Sequence, residues 1–355
     1  MKRFRGIGVL LSIWIVLRLI ATQNHWIETY YSRGIYTGWR HLTHALFDAF
    51  PFSIGDVAYT LLVIYLIRLG IQLVRRKKDS GLQLLKTCII CLLFFQLSWG
   101  LNYHRIPYTT QWELESMEID STDLLNWTTY LVEQTNAAHR QLTADSTKAI
   151  QFTKATTDWK ADLEKAYAQV TQRHPEFHRL PIQPKSSLYS AGLSYMGFSG
   201  YLNPFTLEAQ TNVRMPSYQH PFTSAHEVAH QMGVANESEC NLLAYLASRS
   251  SQNQELKYSG YATALRYALR YVHAHDSLKM RAYERQLRPG ILANYQESKA
   301  FWQAHSNPLD QALEAFYDGF LKANNQTDGM ESYSRFVPLA LKYHKRFAPL
   351  KPREE

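Results

Sequence analysis

His226-Glu227-Val228-Ala229-His230 is the stretch from which this chain is read. On an α-helix, residues four apart stand one above the other, so His226 and His230 present their imidazoles to one point. Two imidazoles placed this way bind a single Zn²⁺. Glu227 lies at the edge of the same face, where a carboxylate can take a proton from a zinc-bound water, the general-base role in a metallopeptidase. The flanks suit a helix. Thr223 or Ser224 is an expected N-cap, Ala225, Val228, Ala229 and Met232 are small or apolar, and Gly233 is a natural stop.

A catalytic zinc takes three protein ligands and keeps one position open. Two carboxylates follow within a few residues, Glu237 and Glu239. A second helix is expected here, running through Leu242, Leu243, Tyr245 and Leu246. Glu237 in its first turn suits the helix dipole and is the preferred third ligand, with Glu239 the rival. Asn241 shares a face with Glu237, four residues on, and is placed to orient a histidine. The bland alternative is a solvated acidic helix start.

Glu237-x-x-Cys240-Asn241 resembles the E-x-x-A/S-D signature of the gluzincin peptidases. The resemblance implies that Glu237 is the third zinc ligand and that the residue at 241 supports the first histidine. Asn241 stands where that signature has Asp, and the interval from His230 to Glu237 is shorter than in thermolysin-like enzymes. Gly233 is placed as in metzincins, but Asn236 occupies the position of their third histidine. Over nearly its full length the chain resembles an uncharacterised bacterial family of three-pass membrane zinc peptidases. That likeness rests on Pro51–Asp56, Gly200–Thr206, Pro221–Thr223 and Asp328–Tyr333. It implies a fold more than a substrate.

Three apolar runs, 7–21, 54–74 and 82–100, approach the ~20 residues needed to cross a bilayer core. The first contains Arg18 and lacks a small-x-small cleavage site, so it is expected to stay as an uncleaved helix. Arg68 and Lys86 interrupt the other two and are expected to reach the interface. Lys2, Arg3 and Arg5 precede the first run, and Arg75, Arg76, Lys77 and Lys78 separate the second from the third. With both clusters in the cytoplasm, everything after about residue 102 lies outside it. Trp26, Tyr30, Tyr31, Trp39, Trp99 and Tyr103 then fall where an interfacial aromatic belt is expected. The net charge of +8 is partly this topology signal; no zinc-finger, RNP-like or basic reading helix points to nucleic acid. Three cysteines make no disulfide scaffold: Cys88 and Cys91 read as membrane-helix residues, and Cys240 as a small apolar group beside the site.

The expected architecture is therefore mainly α with a small β element. Membrane helices in residues 1–101 precede an extracytoplasmic zincin-like metallopeptidase domain in 102–355. Helices are expected over 120–142, 157–173, 259–273, 280–286, 308–322 and 332–346, and short strands at 187–189 and 209–213. A strand just before the zinc helix would pair with extended substrate, and Gly197, Gly200, Tyr201 and Phe205 would form an aromatic wall. Tyr333 and Arg335 are candidates to stabilise the oxyanion. The expected activity is hydrolysis of a peptide or protein substrate by a multi-pass cell-membrane enzyme with one Zn²⁺ per chain. The alternatives are a zinc-containing membrane sensor with little or no turnover, and a structural membrane protein with a chance motif.

Overall fold

The computed structural model describes residues 2–154, 156–177, 180–326 and 335–350, with side chains from residue 6 onward. Helix α1 (Lys2–Ala21) is followed, across a bend of 96°, by a second helical stretch, α2 (Asn24–Phe47). Within α2, Ile27–Ile35 is wound as a π-helix. Helices α3 (Ile54–Val74) and α4 (Ser80–Ser98) then run as a pair. At 1.5 Å per residue they measure about 31 and 28 Å, the thickness of a bilayer core. Their apolar side chains, among them Leu61, Ile64, Ile67, Ile90 and Leu92, point away from the rest of the protein. Such a surface is stable against lipid and not against water.

Among the described residues, the helices long and apolar enough to cross a membrane thus number two, or three if α1 and α2 make one bent span. The third apolar run ends earlier than its composition indicates. Trp99 leaves helical geometry and Gly100–His104 is a 3₁₀ turn. Ser53 caps α3, its hydroxyl accepting from Asp56 N at 2.9 Å.

The stretch 24–47, expected only to carry belt aromatics, is a two-faced helix. Ile27, Tyr31, Tyr36, Arg40 and Thr43 are buried, whereas Trp26, Tyr30, Ile35, Leu42 and Leu46 are exposed. The buried face grips the later part of the chain. Tyr36 donates its hydroxyl to Gln231 O at 2.8 Å, and Glu28 accepts from Arg105 Nε and Nη2, both at 2.8 Å. Residues on the two sides of the expected boundary at 101 therefore pack together.

The remaining chain is mainly helical around one aromatic-rich core that includes Trp127, Trp159, Tyr245, Tyr258 and Phe336. Helix α5 (Ser121–Leu142) opens on a capping box in which Asp120, its N-cap, and Asp123 each accept the other's backbone N–H. Helix α6 (Lys160–Arg173) follows a 3₁₀ turn at Thr156–Trp159. Three short strands come next: β1 (Pro184–Ser186), β2 (Gly200–Leu202) and β3 (Ala209–Thr211). Their order is β1-β3-β2, with β1 parallel and β2 antiparallel to β3.

Two strand expectations change here. The first strand lies at 184–186, and Ser187–Tyr189 leaves the sheet in a turn. The strand nearest in sequence to the histidine helix, β3, is central, so the sheet's edges are β1, mostly buried, and β2, the more exposed of the two. After the sheet come α7 (His220–Gln231), α8 (Glu237–Ser250), α9 (Gln254–His275), α10 (Ser277–Glu284), α11 (Pro289–His305), α12 (Asp310–Ala323) and α13 (Phe336–Phe347).

Candidate metal centre

Helix α7 begins at His220 with Pro221 in its first turn, earlier than a Thr223 or Ser224 cap would place it. It ends at Gly233, whose φ of +81° is a left-handed conformation that glycine adopts without strain. A side chain there would also press on Arg105 Nη1 and Tyr36 Cε1, both 3.1 Å from a Cβ. The turn delivers the chain to Asn236, whose Oδ1 accepts from Ser238 N at 3.0 Å and Glu239 N at 3.2 Å. Asn236 is thus the N-cap of α8, and Glu237 is its first residue, facing back toward α7.

His226, His230 and Glu237 converge and are all buried; one donor atom from each lies within 4.8 Å of the others. Glu237 Oε2 is 3.1 Å from His226 Nε2 and 3.5 Å from His230 Nε2. Three such donor atoms this close together are a group that could hold a metal ion. The far side of each ring sets its tautomer. His226 Nδ1 lies 3.0 Å from Asn241 Oδ1, and His230 Nδ1 lies 2.8 Å from Val234 O. Both partners are acceptors, so each Nδ1 carries a hydrogen and each Nε2 is turned to Glu237, where it can donate as an imidazolium or offer a lone pair to a metal ion. A buried carboxylate facing two imidazoles draws positive charge to the site: burial would lower His230, but Cys240 and Glu237 outweigh it and hold the ring well above its usual range. Glu237 is ready to meet it: burial alone would raise its carboxyl, but the two imidazoles outweigh burial and hold it well below the usual range.

Glu239 sits elsewhere. Its Oε1 accepts from the backbone N–H of Tyr108 at 2.7 Å and of Thr109 at 3.2 Å, closing the start of the one-turn helix Tyr108–Gln111. Cys240 is buried beside His230, Sγ 3.3 Å from Nδ1, and burial pushes its thiol up to about 12.

Glu227 is 4 % exposed. Burial pushes its carboxyl up to about 7, Glu237 adds to the rise, and the two histidines oppose it. Its Oε2 has no hydrogen-bond partner among the described residues. Strand β2 runs directly past it. A Cβ on Gly200 would stand 2.8 Å from Glu227 Oε1 and 2.6 Å from Gln210 O, so only glycine lets the backbone approach this closely.

Other groups come to the site from far along the chain. The Trp99 ring lies edge-on to His230, centroids 5.9 Å apart. Tyr317 of α12 directs its hydroxyl to Glu237 Oε1 at 3.4 Å, and its ring meets Phe198 at 5.1 Å. Neither carries a motif that marks it in the sequence. Tyr333 lies outside the described residues, and Arg335 is exposed at the start of α13.

The chain belongs to the family described as "Protein of unknown function (DUF3810)", whose model matches residues 31–341. No curated protein and no solved structure matches it.

Proposed function

We propose that the protein is a membrane-anchored, zinc-dependent peptidase with a zincin-like domain. In this reading His226, His230 and Glu237 hold the metal, Asn241 orients His226, and Glu227 is the general base. The observation that carries the reading is the buried convergence of His226, His230 and Glu237, one donor atom of each within 4.8 Å of the others, with the buried carboxyl group of Glu227 beside them.

Bound zinc supplies a Lewis acid that makes water acidic near neutral pH and polarises a carbonyl. The chain's residues supply the rest. Glu227, with one oxygen free, accepts the proton from the attacking water and returns it to the departing amine. The free edge of β2 can add an extended substrate as a further strand, which sets the scissile carbonyl against α7. The Tyr317 hydroxyl is in position to donate to an oxyanion developing near Glu237. The site lies at the end of α4 opposite the Arg75–Lys78 turn, and the tendency of such basic turns to stay in the cytoplasm supports an extracytoplasmic site.

The test uses Glu227→Gln in the full-length protein. It should bind zinc as wild type does and hydrolyse a mixed peptide pool at least ~100-fold more slowly, the usual weight of a general base. Equal hydrolysis by both proteins removes the assignment of Glu227. Zinc bound normally with no hydrolysis by either favours the sensor.

A further inference from the structure

The membrane helices do more than anchor this site; they hold the elements that frame it. The β2–β3 hairpin is bolted to the first turn of α3. Glu208, fully buried, accepts from Ile54 N at 3.2 Å and Gly55 N at 2.5 Å, and pairs with Lys185 Nζ at 2.8 Å. That carboxylate also sits at the positive end of the α3 dipole. Asp56 in the same turn accepts from Leu188 N at 2.6 Å, Ser187 Oγ at 3.0 Å and the Tyr201 hydroxyl. Apolar contacts repeat the pattern. Phe205 stacks on Phe94 of α4 at 5.3 Å, and Tyr201 on Tyr59 of α3 at 6.4 Å.

The opposite wall is held in the same way. Phe320 of α12 packs on Phe95 of α4 at 5.9 Å and on Tyr103 at 6.2 Å. Exposed apolar residues lie on the segments that lead into or pack on the spans: Phe50 and Phe52 before α3, Leu188 after β1, Leu309 before α12 and Phe316 on it. Single exposed apolar groups are ordinary, but a set continuous with two membrane spans fits the interfacial layer.

The level of the metal group follows from His230. Its ring lies 5.9 Å from Trp99, the residue immediately after the end of α4. The candidate ligands therefore lie within about 10 Å of the helix end, the depth of a headgroup layer. We propose that the substrate is the extended segment of another membrane-anchored polypeptide, cut close to where it leaves the bilayer. This deepens the peptidase reading and rests on it. At ~3.3 Å per residue, a chain rising from the bilayer reaches the site after about three residues, and one running along β2 after no more than about ten.

The full-length protein in proteoliposomes tests this. The probe is a 40-residue segment of randomised sequence (roughly four times the reach estimated above), either free or fused to one membrane-spanning helix, with products read by mass spectrometry. The expected cuts fall within the ten residues next to the anchor and leave the distal thirty intact. Even cutting along the segment, or equal cutting of the free form, overturns the proposal and leaves the peptidase reading standing, because co-localisation alone would speed all positions alike. If neither form is cut above the Glu227→Gln background, both readings fall together.

Discussion

Separate alanine substitutions at Glu237 and Glu239 should split metal binding from stability. The two carboxylates are two residues apart on one helix turn, yet their surroundings share nothing. Glu237 Oε2 faces both imidazole Nε2 atoms at 3.1 and 3.5 Å. Removing it takes one of three candidate donors, and since a partner that only orients a ligand is worth ~10–100-fold in affinity, the loss should exceed about 100-fold. Glu239 instead serves two backbone N–H groups, of Tyr108 and Thr109. Orphaning two buried donors costs about 2–4 kcal/mol, or roughly 5–10 °C in melting temperature for a domain of this size. Glu239→Gln keeps a carbonyl acceptor and should restore most of that. Competition between the chelator-stripped protein and a zinc indicator gives the affinities; thermal unfolding in detergent gives the stabilities. Zinc lost from Glu239→Ala and retained by Glu237→Ala would refute the reasoning.

Asn241→Ala should weaken zinc about 10–100-fold by freeing the His226 ring, with little change in melting temperature; Asn241→Asp should restore binding. Gly200→Ala should lower activity at least ~100-fold while zinc stays bound, because its Cβ would meet Glu227 Oε1 at 2.8 Å and an ångström of misplacement at a catalytic group is costly. Wild-type turnover in that variant would show that β2 does not hold the base. His344 is buried between the Tyr245 hydroxyl and Ala348 O, and burial depresses it from 6.5 to about 4. The unfolded chain binds this proton first as pH falls, so its contribution is whole above about 6.5 and is lost toward 4, up to ~3 kcal/mol. His344→Gln should flatten the stability profile across that window relative to wild type; an unchanged slope would contradict it.

Local geometry explains which parts of the site were legible. His226 and His230 share a face by helix periodicity alone, and Glu237 gains its place from the Gly233 turn and the Asn236 cap, all within a dozen residues. What separates Glu237 from Glu239 is the pair of amides at 108 and 109, far away in sequence and invisible to pattern. Helix α12 was readable as a helix, but its station over the site depends on Phe95, Tyr103 and Phe198. Strand β2, Gly-Tyr-Leu, is too short to show alternation, so the edge role was assigned to the strand nearer α7. Trp99 and Tyr31 were read as belt aromatics from their distance to the spans. The fold turns Trp99 toward His230 and buries Tyr31 in the contact between α2 and α4.

Zinc K-edge X-ray absorption on the purified full-length protein examines the metal centre itself. The account predicts about one zinc per chain with only nitrogen and oxygen neighbours near 2.0–2.1 Å, two of them imidazole, and loss of that signal in His230→Ala. A sulfur neighbour near 2.3 Å, bringing in Cys240, or protein that retains no zinc after exposure to it, would contradict the account.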